Sequence, residues 1–148
     1  MIIAVATDHG GFALKDAVIE AILAAGHQML DLGAHDATSS DYPDFAEIAG
    51  RAMQQGKADR AILLCGSGVG ISIAANKING VYACVCHDTY TARQGVEHDG
   101  MNALCLGGRV VGTELAKEIV AAFLSATFHA EERHQRRTGK IKALEAYS

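Results

Sequence analysis

Short apolar runs alternate with amphipathic segments along this 148-residue chain, and that alternation limits the folds open to it. The first run covers residues 2–6, and a segment of helical period follows over 14–25 until Gly26 ends it. Continuous apolar strands joined by helices are typical of a parallel sheet covered on both faces. We therefore predict an α/β fold whose ligands bind where strands end and loops lead into helices.

The same pattern repeats four more times without a linker or low-complexity segment, so we predict one domain over 1–148. The remaining strands are predicted over 29–32, 60–65, 81–86 and 102–106, and helices over 42–55, 71–78, 88–97, 113–126 and 131–146. Asn79-Gly80 predicts a turn before the fourth strand. The last helix is rich in charge, which favours a solvated or interfacial position.

Composition narrows the partners this domain can have. The formal charge is −4, so binding to a nucleic-acid backbone has no global electrostatic support. No window is long and apolar enough for a membrane helix, and residues 1–7 lack the features of a signal peptide. We expect a cytoplasmic protein whose four cysteines are reduced, with no nucleic-acid or membrane partner.

The loop Cys65-Gly66-Ser67-Gly68-Val69-Gly70 is the most informative motif. Small residues there leave backbone N–H groups uncovered ahead of a helix, an arrangement that can hold an anion or oxyanion. Similar motifs fail on spacing: a dinucleotide fingerprint needs glycine, and a thiol phosphatase of low molecular weight needs arginine, where this chain has Ile71. A nucleophile elbow would need glycine in place of Cys65.

Cys65 ends its predicted strand against these amides, which would favour a thiolate able to act as a base. The other three cysteines lie in apolar runs, and we interpret Cys84, Cys86 and Cys105 as small buried hydrophobic residues. None of the four has the C-x-x-C spacing of a zinc or redox site.

Asp8-His9 follows the first strand, and His87-Asp88 follows the fourth, so both should share an edge with the glycine loop. Asp8 could instead cap the next helix, whereas His9 could donate to a phosphate or move a proton. His98-Asp99 lies in a loop where a histidine could serve a ring oxygen. The other histidines lack metal spacing, so we interpret them as surface or supporting groups and expect no metal: His27, His35, His87, His129 and His134.

Arg133 and Arg137 stand four residues apart on the last predicted helix and therefore share one of its faces. Two guanidinium groups on one face could hold a phosphate. Composition alone favours an ordinary charged surface instead.

Several motifs together resemble the family of ribose-5-phosphate isomerase type B, the galactose-6-phosphate isomerase subunits and allose-6-phosphate isomerase. The resemblance runs the whole chain and rests on Asp8-His9-Gly10-Gly11, Asp41-Tyr42-Pro43, residues 65–77, residues 107–112 and Arg133-His134-Gln135. It implies a Rossmann-like three-layer domain with a five-stranded parallel sheet, a C-terminal helix for dimer contacts, and an active site shared between subunits. A homodimer, or a tetramer made of two such dimers, would act on a sugar phosphate without a cofactor.

By the same resemblance, Cys65 would move a proton between C1 and C2 through an enediolate, and Ser67 would help transfer the hydroxyl proton. Asp8 and His98 would assist ring opening. The remaining expected substrate contacts are the loop residues Gly66, Gly68, Val69 and Gly70, the phosphate ligands His9, Arg133 and Arg137, and Arg109, Asp99 and Asn102.

One departure bears on the substrate: typical members have His-Asn where this chain has His98-Asp99. An asparagine amide can donate to a sugar oxygen, but an ionised aspartate only accepts. Ribose 5-phosphate is the first expectation, and a tetrose, allose or galactose phosphate remains an alternative. A second alternative is a non-catalytic phosphosugar-binding subunit. A third alternative is NAD binding, because Asp88 follows Gly66 at about the spacing of a ribose-binding acid.

Overall fold

A computed structural model describes residues 1–147 and contains one five-stranded parallel sheet. Its strands are β1 (Ile2–Thr7), β2 (Gln28–Asp31), β3 (Arg60–Cys65), β4 (Ala83–Val85) and β5 (Ala103–Gly107), in the order β2-β1-β3-β5-β4. The order reverses between β1 and β3, so the loops that follow these strands lead to opposite sides. Such a reversal is where parallel α/β sheets bind ligands.

Over the described residues 1–147, six α-helices connect or follow the strands: α1 (Lys15–Ala24), α2 (Tyr42–Gln54), α3 (Val69–Ala75), α4 (Thr89–Asp99), α5 (Thr113–Ser125) and α6 (Glu132–Ala143). Short 3₁₀ segments cover Phe12–Leu14 and Leu144–Tyr147. The predicted α/β class, the five parallel strands and the helices on both sheet faces are confirmed. No helix among residues 1–147 is long and apolar enough to cross a membrane.

The two faces of the sheet are packed differently because successive strand residues point to opposite sides. One face carries large side chains such as Ile62 and Leu104, which pack against α1, α4 and α5. The other face is rich in alanine, including Ala4 and Ala61, and packs against α2 and α3. Cys65 belongs to this second face, so α2 and α3 flank its side chain.

Strand β4 is shorter than predicted, because Val81 and Tyr82 follow the turn without pairing in the sheet. The Val81 amide donates to the Ile78 carbonyl, and the Tyr82 amide donates to the side chain of Asn102 rather than to a strand. Cys84, which we expected to be buried, is exposed because β4 is an edge strand with little cover. Helix α3 begins two residues early, directly after Gly68, which has a left-handed backbone (φ 79°).

Candidate active site

The loops after β1, β3 and β5 meet at the carboxyl edge of the sheet, and backbone hydrogen bonds join the loops after β3 and β5. The Gly108 amide donates to the Cys65 carbonyl (2.8 Å), and the Arg109 amide donates to the Gly66 carbonyl (3.0 Å). Between the loops lies a cleft of about 350 Å³, lined by Asp8, Tyr42, Cys65, Gly66, Ser67, Gly70, Arg109 and Val110. Six of the predicted site residues therefore surround one cavity.

Cys65 is 4% exposed, and its Sγ accepts a hydrogen bond from the Gly68 amide at 3.1 Å. Gly68 has a left-handed backbone (φ 79°), a conformation that favours glycine, at the point where the loop turns into α3. A donor in this position stabilises negative charge on sulfur. The sulfur can therefore act as a base at the wall of the cleft.

Ser67 and Val69 are exposed on the outer side of the same loop. The Val69 amide donates to the Ser67 Oγ at 3.2 Å, which leaves the hydroxyl proton free to donate elsewhere. We expected all amides of residues 66–70 to face an oxyanion. Those of Gly68 and Val69 instead have partners inside the loop, and an oxyanion would have to compete with them.

Asp8 is 5% exposed, and its Oδ1 accepts from the amides of Gly10 (2.8 Å) and Gly11 (3.2 Å). The carboxylate thus orders its own loop while it lines the cleft, but it does not cap the following helix, which starts without a side-chain cap. His9 exchanges two contacts with Ser40: the His9 amide donates to Ser40 Oγ, and the Ser40 amide donates to His9 Nδ1, both at 3.2 Å. A neutral His9 with Nδ1 accepting carries its proton on Nε2, ready to donate to a ligand.

Arg109 and Tyr42 close opposite sides of the cleft. The Arg109 guanidinium lies over Gly66, where a Cβ would come within 3.3 Å of its Nη1, so the positive charge covers the loop. The Tyr42 ring lies so close to Gly70 that a Cβ there would come within 2.6 Å of it. Sequence reasoning missed Tyr42 as a site residue, although its motif Asp41-Tyr42-Pro43 is part of the resemblance.

The other predicted site residues lie at the opposite, amino edge of the sheet: His98, Asp99, Asn102, Arg133 and Arg137. Helix α4 runs back from the carboxyl edge and ends at Asp99, two residues beyond its predicted end, so His98-Asp99 lies on the helix and not in the loop that we expected. With a rise of about 3.3 Å per residue, the five residues of β5 separate the two edges by well over 10 Å. Within one chain these five residues therefore do not reach Cys65, and the active site shared between subunits that the resemblance implies stays a prediction.

Each member of this second group has its own surroundings. The Asn102 side chain binds the Gly80 carbonyl and the Tyr82 amide at 2.8 Å each, a structural role that occupies both ends of its amide. Arg133 is exposed and pairs with Glu131 at 2.6 Å, and Arg137 is exposed as well. His98 is half-buried and stacks on His134, with ring centroids 4.4 Å apart.

Two supporting histidines differ from their expected surface position. His134 is 2% exposed, and its Nδ1 bonds the His129 carbonyl at 2.9 Å. His87 is partly buried at the carboxyl edge, where its Nε2 accepts from the Gly107 amide at 3.0 Å. His134 therefore orients the ring of His98, whereas His87 fixes the end of β5.

Asp88 caps α4, because its carboxylate accepts from the amide and the hydroxyl of Thr91 at 2.7 Å each. These hydrogen bonds lower the pKa of Asp88 and engage the group that dinucleotide binding would require. Burial raises the pKa of Cys86 to about 12 and raises the pKa of Cys105 as well, as expected of inert buried thiols. Cys65 is thus the cysteine of the cleft.

Comparison with known proteins matches residues 3–141 to the family described as Ribose/Galactose Isomerase. The chain is 43% identical to ribose-5-phosphate isomerase B of Escherichia coli, over 97% of this chain and 95% of that protein. It is 41% identical to a D-erythrulose-4-phosphate isomerase of Pectobacterium atrosepticum, over 85% and 84%. The structure of Clostridium thermocellum ribose-5-phosphate isomerase B superposes with a TM-score of 0.95 at 45% identity, covering both chains completely.

Proposed function

This chain belongs to the ribose/galactose isomerase family, and we propose that it interconverts ribose 5-phosphate and ribulose 5-phosphate with Cys65 as the base. As a member of that family it is an aldose-ketose isomerase of sugar phosphates. We propose this particular sugar, the side-chain roles given below, and a single isomerase domain over residues 1–148.

The observation that carries the mechanism is the hydrogen bond from the Gly68 amide to Cys65 Sγ, inside a cleft that also contains Asp8, Ser67 and Arg109. The thiolate removes the proton from C2 of the open-chain aldose, and the electron pair forms the C1–C2 double bond of an enediolate. The thiol then returns the proton to C1, while Ser67 relays the hydroxyl proton from O2 to O1. Arg109 and the uncommitted loop amides offset the negative charge on the enediolate oxygens.

A homodimer would complete the site by bringing the amino edge of one protomer to the carboxyl edge of the other. His98 would then assist ring opening with Asp8, while Arg133 and Arg137 would hold the phosphate with His9. Apolar side chains of suitable size are exposed beside the cleft, including Tyr42, Val69 and Ile73. They supply a surface that association would bury.

The sugar is the least constrained part of the proposal, because relatives of similar identity carry the names of pentose and tetrose phosphate isomerases. Asp99 also bears on the choice of sugar, since an ionised carboxylate accepts a hydrogen bond from a sugar hydroxyl but donates none. We favour ribose 5-phosphate because a relative with that name matches the chain nearly end to end.

A panel of phosphorylated tetroses, pentoses and hexoses assayed for aldose-ketose exchange tests the substrate. We expect the highest kcat/KM with ribose 5-phosphate, and a higher value with a tetrose or hexose phosphate would replace it as the substrate. Cys65→Ala tests the assignment of the base. The substitution should lower kcat by about 10²–10⁴-fold while sugar-phosphate binding, followed by calorimetry, persists. If Cys65→Ala keeps most of its turnover, the base assignment is wrong.

A further inference from the structure

Three side chains that can ligate a metal meet where α4 ends: Glu97 and His98 from the helix, and His129 from the segment between α5 and α6. Each offers one ligand atom, and the three atoms all lie within 4.8 Å of one another. We propose that this His–Glu cluster binds a divalent transition metal of the zinc class. From the sequence we expected no metal, because His129 is far from the other two along the chain.

Backbone and ring contacts hold the cluster in place before any metal arrives. The His129 amide donates to the Glu97 carbonyl at 2.8 Å, which fixes the loop against the end of α4. His134, which is buried, bonds the His129 carbonyl and stacks on the ring of His98 at an interplanar angle of 20°. Two of the three ligands thus share one rigid support, and metal binding would order few new torsions.

The local charge favours a cation. Glu97 is largely covered, and the nearest basic atoms to its Oε1, Arg93 Nε at 3.8 Å and His129 Nε2 at 3.9 Å, are beyond hydrogen-bond distance. The carboxylate is therefore available to a closer ligand. The cluster also sits at the C-terminal end of an eleven-residue helix, the negative end of its macrodipole, with Asp99 adjacent.

Two imidazoles and one carboxylate define the class of metal. Zn²⁺, Co²⁺ and Ni²⁺ accept this mixture, and three protein ligands leave at least one position open for water. Mg²⁺ and Ca²⁺ prefer sets made wholly of oxygen and are not expected to bind.

Metal binding has a consequence for catalysis that rests on the proposed function. His98 would be both a metal ligand and the group that assists ring opening, and a metal would take the lone pair that proton transfer needs. The metal should therefore inhibit the isomerase.

Binding is tested first without reference to activity. Metal-free protein is titrated with Zn²⁺ by calorimetry, and Co²⁺ is used as a spectroscopic probe. We expect one site per chain that is weakened at least tenfold in His129→Gln and Glu97→Gln but unchanged in Cys65→Ala and in His27→Gln, a control histidine elsewhere. Circular dichroism confirms that each variant is folded.

The spectrum separates the cluster from the thiols. Nitrogen and oxygen ligands give only weak visible Co²⁺ bands, whereas a bound thiolate adds strong near-ultraviolet charge-transfer absorption. Thiolate absorption, or wild-type Zn²⁺ affinity in both His129→Gln and Glu97→Gln, would overturn the site.

Inhibition is tested second, with His129→Gln as the matched variant. We expect Zn²⁺ to suppress turnover of the wild type reversibly, with recovery on addition of a chelator, and to leave His129→Gln active at the same metal concentration. Tight binding to the cluster with no loss of turnover would refute the inhibitory consequence alone. A protein inactive on every sugar phosphate would refute the proposed function, and the binding measurement would still decide the metal site.

Discussion

The two edges of the sheet are built in different ways. At the carboxyl edge, backbone hydrogen bonds join the loops after β3 and β5, the Asp8 amide binds the Leu64 carbonyl of β3, and Cys65 has a partner for its sulfur within its own loop. At the amino edge, Arg133 and Arg137 are exposed side chains, and His98 is supported by a ring stack. The groups of the carboxyl edge are thus held together within one protomer. The groups of the amino edge are proposed to contact a substrate that is bound at the carboxyl edge of the partner subunit.

Mixing two inactive variants tests whether the carboxyl edge of one protomer and the amino edge of its partner form one active site. Cys65→Ala damages one edge and His98→Asn the other, and each alone should lose about 10²-fold or more of the activity. In a mixed dimer, one shared site carries both changes and the other carries neither. After refolding an equimolar mixture, we expect about a quarter of the wild-type activity, because half the dimers are mixed and each has one intact site.

The control pairs two changes at the same edge, Cys65→Ala and Asp8→Asn. Their mixed dimers have no intact site, so the activity should not exceed the sum of the separate variants. Mixed dimers of Cys65→Ala and His98→Asn that form but recover nothing would show that the edges do not share a site.

Gly68→Ala probes how far the carboxyl edge depends on its backbone. Gly68 has φ 79°, and a Cβ there would come within 3.0 Å of the Leu106 carbonyl carbon. The substitution should lower the free energy of unfolding by about 1–3 kcal/mol and, because the amide would turn from Cys65, lower kcat by about tenfold or more. Denaturant titration and initial rates measure the two effects.

Gly56→Ala is the matched control, since Gly56 also has a positive φ (71°) but open space around it. It should cost similar stability and leave kcat unchanged. Equal kcat values for the two variants would mean that the Gly68 amide does not serve Cys65.

Local patterns predicted the carboxyl edge better than the amino edge. Strand β3 was predicted with its observed ends, and the glycine loop was correctly placed after it, because apolar period and glycine spacing are local signals. The burial of His134, the exposure of Cys84 and the structural use of Asn102 depend on contacts between distant segments, which no single stretch of sequence encodes.

The ion pair between Lys15 and Asp31 is expected to stabilise the folded state, and its contribution can be measured. Asp31 pairs with Lys15 at 2.8 Å beside the carboxyl edge, and the Lys15 side chain is 7% exposed. Burial alone would raise the pKa of Asp31, but the hydrogen bonds from Lys15 and from the Gly33 amide, together with the charge of Lys15, outweigh it and lower that pKa. Asp31→Asn should therefore cost about 1–3 kcal/mol at neutral pH, because a buried ammonium loses its counter-charge.

The sign of the pH dependence follows from the lowered pKa. The ionised carboxylate stabilises the folded state above its unfolded pKa of about 3.9, and this contribution is lost as the pH falls through the folded value. The stability gap between wild type and Asp31→Asn, measured by urea titration, should close below about pH 4. Glu131→Gln removes the exposed pair with Arg133 and should change stability by about 1 kcal/mol at most. A difference in stability between wild type and Asp31→Asn that widens in acid would contradict the stabilising role of the ionised Asp31 carboxylate.

Ser40→Ala tests the finest part of the carboxyl edge, the orientation of His9. The substitution removes the acceptor for the His9 amide but keeps the Ser40 amide that binds His9 Nδ1. Losing one neutral hydrogen bond of about 0.5–1.5 kcal/mol should raise KM by about two- to tenfold, with kcat unchanged, because His9 is proposed to hold the phosphate rather than to take part in proton transfer. Ser39→Ala, at the exposed neighbouring position, should change neither constant. A fall in kcat at constant KM would place His9 in the chemistry and move the phosphate entirely to the arginines of the amino edge.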